Sequence, residues 1–278
     1  MSGRLISLVV FAQVLLAQSV SVLQGDWGKT DISIVPYDSS PGFGSLAKSS
    51  AEPALLQPGI DLGGVLPYSF VLRNNSAQAI VGISARWATT DANGQTITHD
   101  RIWMNLQSPK EGLIPPHSDR LVIPLNAAPP NDPIAVSHMQ TAVEDLPQAF
   151  AKEATIQISL ELAIFADGRA VGSDSANVVP RISAKLDSER ELLQGIVAAS
   201  QQGQVAVVEY LKGFVDPRPG SFIDASQEKT AASAYAKFFS LQRSQLSQDY
   251  ISMAGVNFAG LISYAEARLN APRFTIYR

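Results

Sequence analysis

Residues 154–165 read ATIQISLELAIF, and this stretch decides how the first half of the chain folds. Apolar side chains occupy every second position, at Ile156, Ile158, Leu160, Leu162 and Ile164. Because successive residues of a strand point to opposite faces, the pattern predicts a strand with one buried face and one wet face. Such strands are typical of antiparallel sheets.

Shorter segments with the same period of two lie nearby, between Gly59 and Val171. They are LPYSFVLR (66–73), AIVGISARW (79–87), TITHDRIW (96–103) and a proline-flanked strand around 121–125. In AIVGISARW the pattern places Val81, Ile83, Ala85 and Trp87 on one face. The loop TTDANGQ contains Asn93-Gly94, which suits positive φ and predicts a hairpin. Five to seven strands in about 115 residues predict an antiparallel immunoglobulin-like β-sandwich over residues 58–178.

After Pro180 the apolar period becomes helical, which predicts three to four amphipathic helices over residues 179–278. The predicted fold class is therefore α+β, with the sheets first and the helices second. Lys185 and Glu189 are spaced for an exposed helical pair. Residues 136–152 fit either a short helix or a long loop. Residues 22–57, rich in Gly, Ser, Pro and Asp, predict a flexible leader with one short strand at residues 32–37.

The N-terminus has the pattern of an export signal. Arg4 precedes the apolar run LISLVVFAQVLLA (5–17), and the small residues Ala17, Ser19 and Ser21 each allow cleavage. The predicted signal peptide covers residues 1–21. The alternative is an uncleaved N-terminal helix that anchors the protein, since the apolar run extends to Leu23. We expect a bacterial protein that is secreted or periplasmic and that meets a membrane only through this segment if it is uncleaved.

Composition excludes several classes of function. The 278 residues carry a net charge of −4 and no cysteine. Without cysteine there is no disulfide, no catalytic thiol and no zinc site built on thiolates. Since no basic cluster is present to neutralise phosphates, we expect no nucleic-acid partner.

The segment ELAIFADGRAVGSDSANVVPRI (161–182) resembles a metal or catalytic loop because it holds Glu161, Asp167 and Asp174. Asp167-Gly168 predicts a hairpin turn, and Asp174 or Ser175 predicts a helix cap. A calcium loop needs oxygen ligands at short regular spacing, which this segment lacks. We therefore predict turns and a cap here, and no metal site.

Other polar candidates have structural explanations. Asp91 and Asn93 belong to the predicted hairpin loop, and the Asn-x-Ser pattern at Asn74 fits a turn. The three histidines, His99, His117 and His138, lack the spacing of a zinc site.

The chain shows no G-x-S-x-G elbow, phosphate loop or dinucleotide fingerprint, so we predict no cofactor and leave catalytic residues unknown. Glu144-Asp145 and Glu161 are nominal acids for glycoside hydrolysis, which needs two placed carboxyl groups. A solvated loop and a wet sheet face account for them equally well. We predict that the strand aromatics lie in the core rather than on a binding face. They are Tyr68, Phe70, Trp87 and Trp103.

SFVLRNNSAQAIVGISARW (69–87), LIPPHSDRLVIPL (113–125) and ELAIFADGRAVGSD (161–174) resemble uncharacterised secreted bacterial proteins with an immunoglobulin-like β-sandwich followed by a helical region. The resemblance covers roughly residues 58–200 and implies no activity and no catalytic residues. We expect a non-enzymatic binding or cell-envelope interaction module with a protein or glycan partner. The alternative is a secreted hydrolase that acts on polysaccharide or peptide with dispersed carboxylates.

Overall fold

The computed structural model describes residues 18–23, 31–57, 60–106, 112–125, 133–215 and 230–277. Within these ranges the chain forms two sheets and five α-helices, a mixed α+β fold. The strands are β1 (Ser19–Leu23), β2 (Ile32–Pro36), β3 (Phe70–Asn74), β4 (Ile80–Thr90), β5 (Thr96–Met104), β6 (Asp119–Val122), β7 (Thr155–Phe165) and β8 (Ala170–Gly172). The helices are α1 (Pro41–Ser50), α2 (Pro133–Phe150), α3 (Val178–Ser200), α4 (Gln204–Lys212) and α5 (Ala231–Asn270).

The larger sheet has the order β1-β7-β4-β5, and β8 pairs with the second half of β7. Its strands are antiparallel except β1, which runs parallel to β7. The smaller sheet has the order β2-β3-β6 and is antiparallel. The strand predicted at residues 154–165 and the hairpin at Asn93-Gly94 are confirmed, with Gly94 at φ 81°.

The predicted alternation along β7 fails after Leu160. Ser84 of β4 lies opposite Leu162, and the next residue, Ala85, lies opposite Leu160. Glu161 is therefore an extra residue, and a bulge of this kind reverses the face that later residues take. Leu162 therefore lies on the opposite face from Leu160, contrary to the predicted alternation.

The reversal separates the apolar residues of β4 and β7 into two clusters. Leu162, Ile164 and Val81 pack on the outer face of the larger sheet, away from the smaller one. A second register shift next to Ile80 explains why Val81 does not join Ile83. The core between the sheets takes the other set, which includes Ile80, Ile83, Ala85, Trp87, Ala163 and Phe165.

The strand aromatics belong to this core. Trp87 is fully buried, and its indole Nε1 donates to the Tyr68 carbonyl at 2.9 Å. Tyr68 and Phe70 belong to the same buried cluster, and the partly buried Trp103 packs against it. The smaller sheet contributes Ile32, Ile34 and Leu72, so a single apolar core joins the two sheets.

The described residues of the predicted leader, 22–57, contain regular structure instead of a flexible chain. Strand β2 confirms the short strand predicted there. Helix α1 follows because Ser40 Oγ accepts the Phe43 amide at 3.3 Å and Pro41 suits the first helical turn. Phe43 and Ala47, one turn apart, are buried against Val71 of β3. The prediction of a flexible leader rests on glycine and serine content, which does not reveal this apolar stripe.

The segment that fits either a helix or a loop is helix α2. Met139 and Val143 pack into the same cluster as α1, on the smaller sheet's outer side. Pro147 lies within the last turn of the helix.

Helices α3, α4 and α5 share a separate apolar core. Helix α5 contains a sharp bend because Asn257 has non-helical dihedrals, φ −149° and ψ 81°. The Asn257 Oδ1 accepts the Gly260 amide at 2.9 Å, as an N-cap does for a new helix. Both arms of α5 contact one part of α3, through Arg243 with Glu191 and Arg268 with Glu189. The arms therefore return alongside each other.

Helix α3 also packs on the outer face of the larger sheet, where Val178 and Ile182 contact the Leu162 cluster. Phe274 and Ile276, which follow α5, pack against the same cluster. Backbone bonds between Tyr277 and the β7–β8 turn at Gly168 and Ala170 hold the tail there. Among the described residues, no helix has the length and apolar character that crossing a bilayer requires.

Candidate functional site

The three acids of residues 161–182 do not form one site, and each has its own structural role. Asp174, at φ 51°, accepts the amides of Val178 at 2.5 Å and Val179 at 3.2 Å, which caps the start of α3 as predicted. Asp167 accepts the Arg169 amide at 2.9 Å in the β7–β8 turn, where Gly168 has φ 94°. The turn and the cap are confirmed. Glu161, predicted on a wet face, is 8% exposed and begins a polar cluster.

The cluster around Glu161 is built from hydroxyl donors and one ion pair. Ser159 Oγ donates to Glu161 Oε1 at 2.6 Å, and Ser173 Oγ donates to Oε2 at 2.7 Å. Ser175 Oγ also donates to Oε2. Arg86 Nη1 lies 3.9 Å from Oε2, so the carboxylate faces four donors.

Burial raises the pKa of Glu161, but other contacts outweigh this effect. The hydroxyls of Ser159, Ser175 and Ser173 and the charge of Arg86 together hold its pKa below the ordinary value. Glu161 is therefore an ionised acceptor whose oxygens are occupied.

Arg86 connects Glu161 to a second acid. Its guanidinium makes two bonds to the Asp100 carboxylate, at 2.7 and 3.1 Å. Arg86 and Asp100 lie directly opposite each other on β4 and β5. Two carboxylates thus share one arginine, whose single positive charge offsets one of their two negative charges.

A groove of about 410 Å³ lies along α3. One side of α3, from Leu186 to Leu193, forms one wall. The end of α5, residues 271–275 and the β7–β8 turn at Asp167 complete it. The volume falls in the usual range for sites that bind small molecules.

Ion pairs between α3 and the C-terminal part of the chain line this groove. Arg268 donates to both Glu189 oxygens, at 3.3 and 3.0 Å. Tyr264 donates to the same carboxylate at 2.9 Å. Burial, and secondarily the Glu189 charge, raises the pKa of Tyr264. The predicted Lys185–Glu189 pair is therefore replaced by a contact with α5.

The second pair joins α3 to the tail. Arg273 Nη2 donates to Asp187 Oδ1 at 2.8 Å, and the Tyr235 hydroxyl donates to Oδ2 at 3.0 Å. Arg190 also lines the groove, and within the described ranges no ion pair includes it. The groove thus combines two neutralised pairs, the cation of Arg190, the carboxylate of Asp167 and apolar side chains such as Leu193 and Phe274.

The remaining predicted candidates do not assemble into a site. Glu144 and Asp145 are exposed on α2, on a different element from Glu161. The three histidines, His99, His117 and His138, are exposed and lie on β5, in a loop and on α2. The described residues hold no group of three or more acids and histidines arranged to bind a metal ion.

Two further candidates are turns, as predicted. Asp91 accepts the Asn93 and Gln95 amides at 2.9 and 2.8 Å in the hairpin loop. Asn74 is fully buried, and its amide donates to the carbonyls of Gln78, Ile114 and Pro115. Its side chain is therefore inaccessible to a glycan in the folded protein.

Comparison with known proteins identifies no relative. The chain matches no protein-family model, no curated protein and no solved structure. The contacts described above therefore carry the functional argument.

Proposed function

We propose that the protein is an exported, non-enzymatic binding module that acts in the cell envelope. The groove beside α3 carries this proposal, because charged and apolar side chains converge in it. Export is supported by Arg4 and the apolar run at residues 5–17. The protein is secreted or periplasmic on this proposal.

The chemistry of the groove favours a peptide segment of a partner protein over a glycan. Arg190 offers a cation to a carboxylate, and Leu193 and Phe274 offer apolar contact. The described lining of the groove includes one aromatic side chain, Phe274, and the aromatic residues of the strands lie in or against the core. Little aromatic surface is therefore available to stack on a sugar ring. A catalytic role fits the Glu161 cluster poorly because hydroxyl donors already occupy that carboxylate.

Binding to immobilised acidic peptides tests the proposal. The purified protein is expected to bind a subset of the peptides, and Arg190→Glu to weaken that binding at least about tenfold, or 1.4 kcal/mol. Lys185→Glu is the matched control, since it makes the same charge change at an exposed α3 position outside the groove. Equal binding by both variants would show that the binding site lies outside the groove. Turnover in a panel of glycoside and peptide substrates, without peptide binding, would favour a hydrolase.

The finer fold assignment is also part of this proposal. We take residues 58–178 to be an immunoglobulin-like β-sandwich, supported by the one apolar core shared by the two sheets and by the buried Trp87. An experimental structure with the connections between the sheets traced tests it. Strands that do not connect in a Greek-key order would refute it.

A further inference from the structure

We infer that the export signal is removed between Ala17 and Gln18, so that the mature protein begins at Gln18. The inference deepens the proposed function, since it assumes export through a cleaved signal. A signal peptidase of the envelope would add water across this peptide bond. The new carboxyl group would remain on Ala17 and the new amine on Gln18.

The first support is the position of β1. All five of its residues, from Ser19 to Leu23, pair with β7, from Thr155 to Ser159. The Ser19 amide also donates to the Ala154 carbonyl at 3.1 Å. Strand β1 forms one edge of the larger sheet, and it begins two residues after the apolar run ends.

The second support comes from side chains at the start of the strand. Gln18 Nε2 donates to the Phe150 carbonyl, and the Tyr68 hydroxyl donates to Gln18 Oε1 at 3.3 Å. Val22 packs against the core between the two sheets. Gln18 thus connects three parts of the chain, the edge strand, the end of α2 and the residues before β3.

The sequence rule alone favours a different bond. Cleavage sites prefer small residues one and three positions before the cut. A cut after Ser19 satisfies both positions, with Ala17 and Ser19, and a cut after Ser21 does so with Ser19 and Ser21, whereas a cut after Ala17 places Leu15 at the second position. The two arguments therefore predict different mature termini.

The cost to the folded protein decides between them. A cut after Ser19 removes Gln18 with both of its bonds and one of the five strand pairs. A cut after Ser21 removes three of the five pairs. Because the peptide groups of β7 would then lose strand partners, the edge keeps all five pairs and both bonds of Gln18 only if cleavage precedes Gln18.

Mass spectrometry of the exported protein, expressed as the full chain in a bacterial host, tests the inference. We expect an N-terminal peptide that begins at Gln18, with or without loss of ammonia by cyclisation. Soluble exported protein that begins at Val20 or Val22 would overturn the inference and leave export intact. An intact N-terminus in a salt-resistant membrane fraction would overturn the inference and show a retained anchor. Uncut protein in the cytoplasm would overturn the proposed export itself.

Three matched variants separate the possible bonds without relying on the folded protein. Ala17→Leu is expected to accumulate the uncut precursor, because it places a bulky residue directly before the cut. Ser19→Leu and Ser21→Leu are expected to be processed as the wild type is. Accumulation in Ser19→Leu or Ser21→Leu, with normal processing of Ala17→Leu, would contradict the inference even if the variants misfold after export.

Discussion

Replacing Glu161 by Gln removes one negative charge from a buried cluster and keeps the size of the side chain. The carboxylate accepts three serine hydroxyls, from Ser159, Ser173 and Ser175, and lies near Arg86. A hydrogen bond to a charged group contributes about 1.5–3 kcal/mol, and Gln keeps one acceptor oxygen for these donors. We therefore expect Glu161→Gln to lower the free energy of unfolding at pH 7 by about 2–3 kcal/mol.

The loss should depend on pH in one direction. Because the pKa of Glu161 in the folded protein lies below its ordinary value of 4.5, the ionised group stabilises the fold above that pH. This contribution is lost as the pH falls from 4.5 through the lower folded pKa. The difference between wild type and Glu161→Gln is thus expected to be constant from pH 6 to 8 and to shrink below about pH 4.

Urea unfolding followed by circular dichroism, at pH 7 and in acid, measures both quantities. Glu144→Gln is the matched control, since it makes the same substitution at an exposed position of α2, where surface changes usually alter stability by less than about 0.5 kcal/mol. A Glu161→Gln protein as stable as the control at pH 7 would refute the role given to the cluster. A loss of equal size at pH 7 and in acid would show that the charge is not its source.

Three further predictions follow from single contacts, each measured by the same urea unfolding. Asn74→Ala removes a buried amide that donates to three carbonyls and is expected to destabilise the protein by about 2–4 kcal/mol; a loss below about 0.5 kcal/mol would refute its role. A Cβ added at Gly195 would lie 1.9 Å from Tyr210 Cζ, so Gly195→Ala is expected to cost about 1–3 kcal/mol. Gly255→Ala, with no atom within 4 Å of its new Cβ, is the control and should be neutral or stabilising. Asn257→Ala removes the cap of the second arm of α5 and should cost about 1 kcal/mol; an unchanged urea midpoint would contradict that cap.

The sequence predicts the strands well and their faces less well. The alternation in residues 154–165 identifies β7, but a bulge is invisible to a pattern of period two. The register shift at Glu161 depends on β4, which lies more than 70 positions earlier in the chain. Tertiary pairing therefore decides which apolar residues of β7 face the other sheet.

One part of the polar cluster could have been predicted from the sequence. If Asn93-Gly94 makes the β4–β5 turn and Thr90 pairs with Thr96, then Arg86 must pair with Asp100. The sequence holds no comparable pattern from which the groove could be predicted. Glu189 and Arg268 lie 79 positions apart and meet only because α5 returns along α3. Contacts of this kind depend on helix packing, which local spacing does not encode.

The acids that make residues 161–182 look reactive are accounted for by backbone geometry. Asp174 caps α3, Asp167 supports the turn before Arg169, and Glu161 holds Ser173 and Ser175, which follow β8, against β7. Each carboxylate therefore accepts hydrogen bonds from nearby serine hydroxyls or backbone amides. The surface left for a partner is the wall of α3 around Arg190, where the returning arm of α5 and the tail already neutralise Glu189 and Asp187. A charge reversal at Arg190 thus tests function, whereas the loss of charge in Glu161→Gln tests the fold.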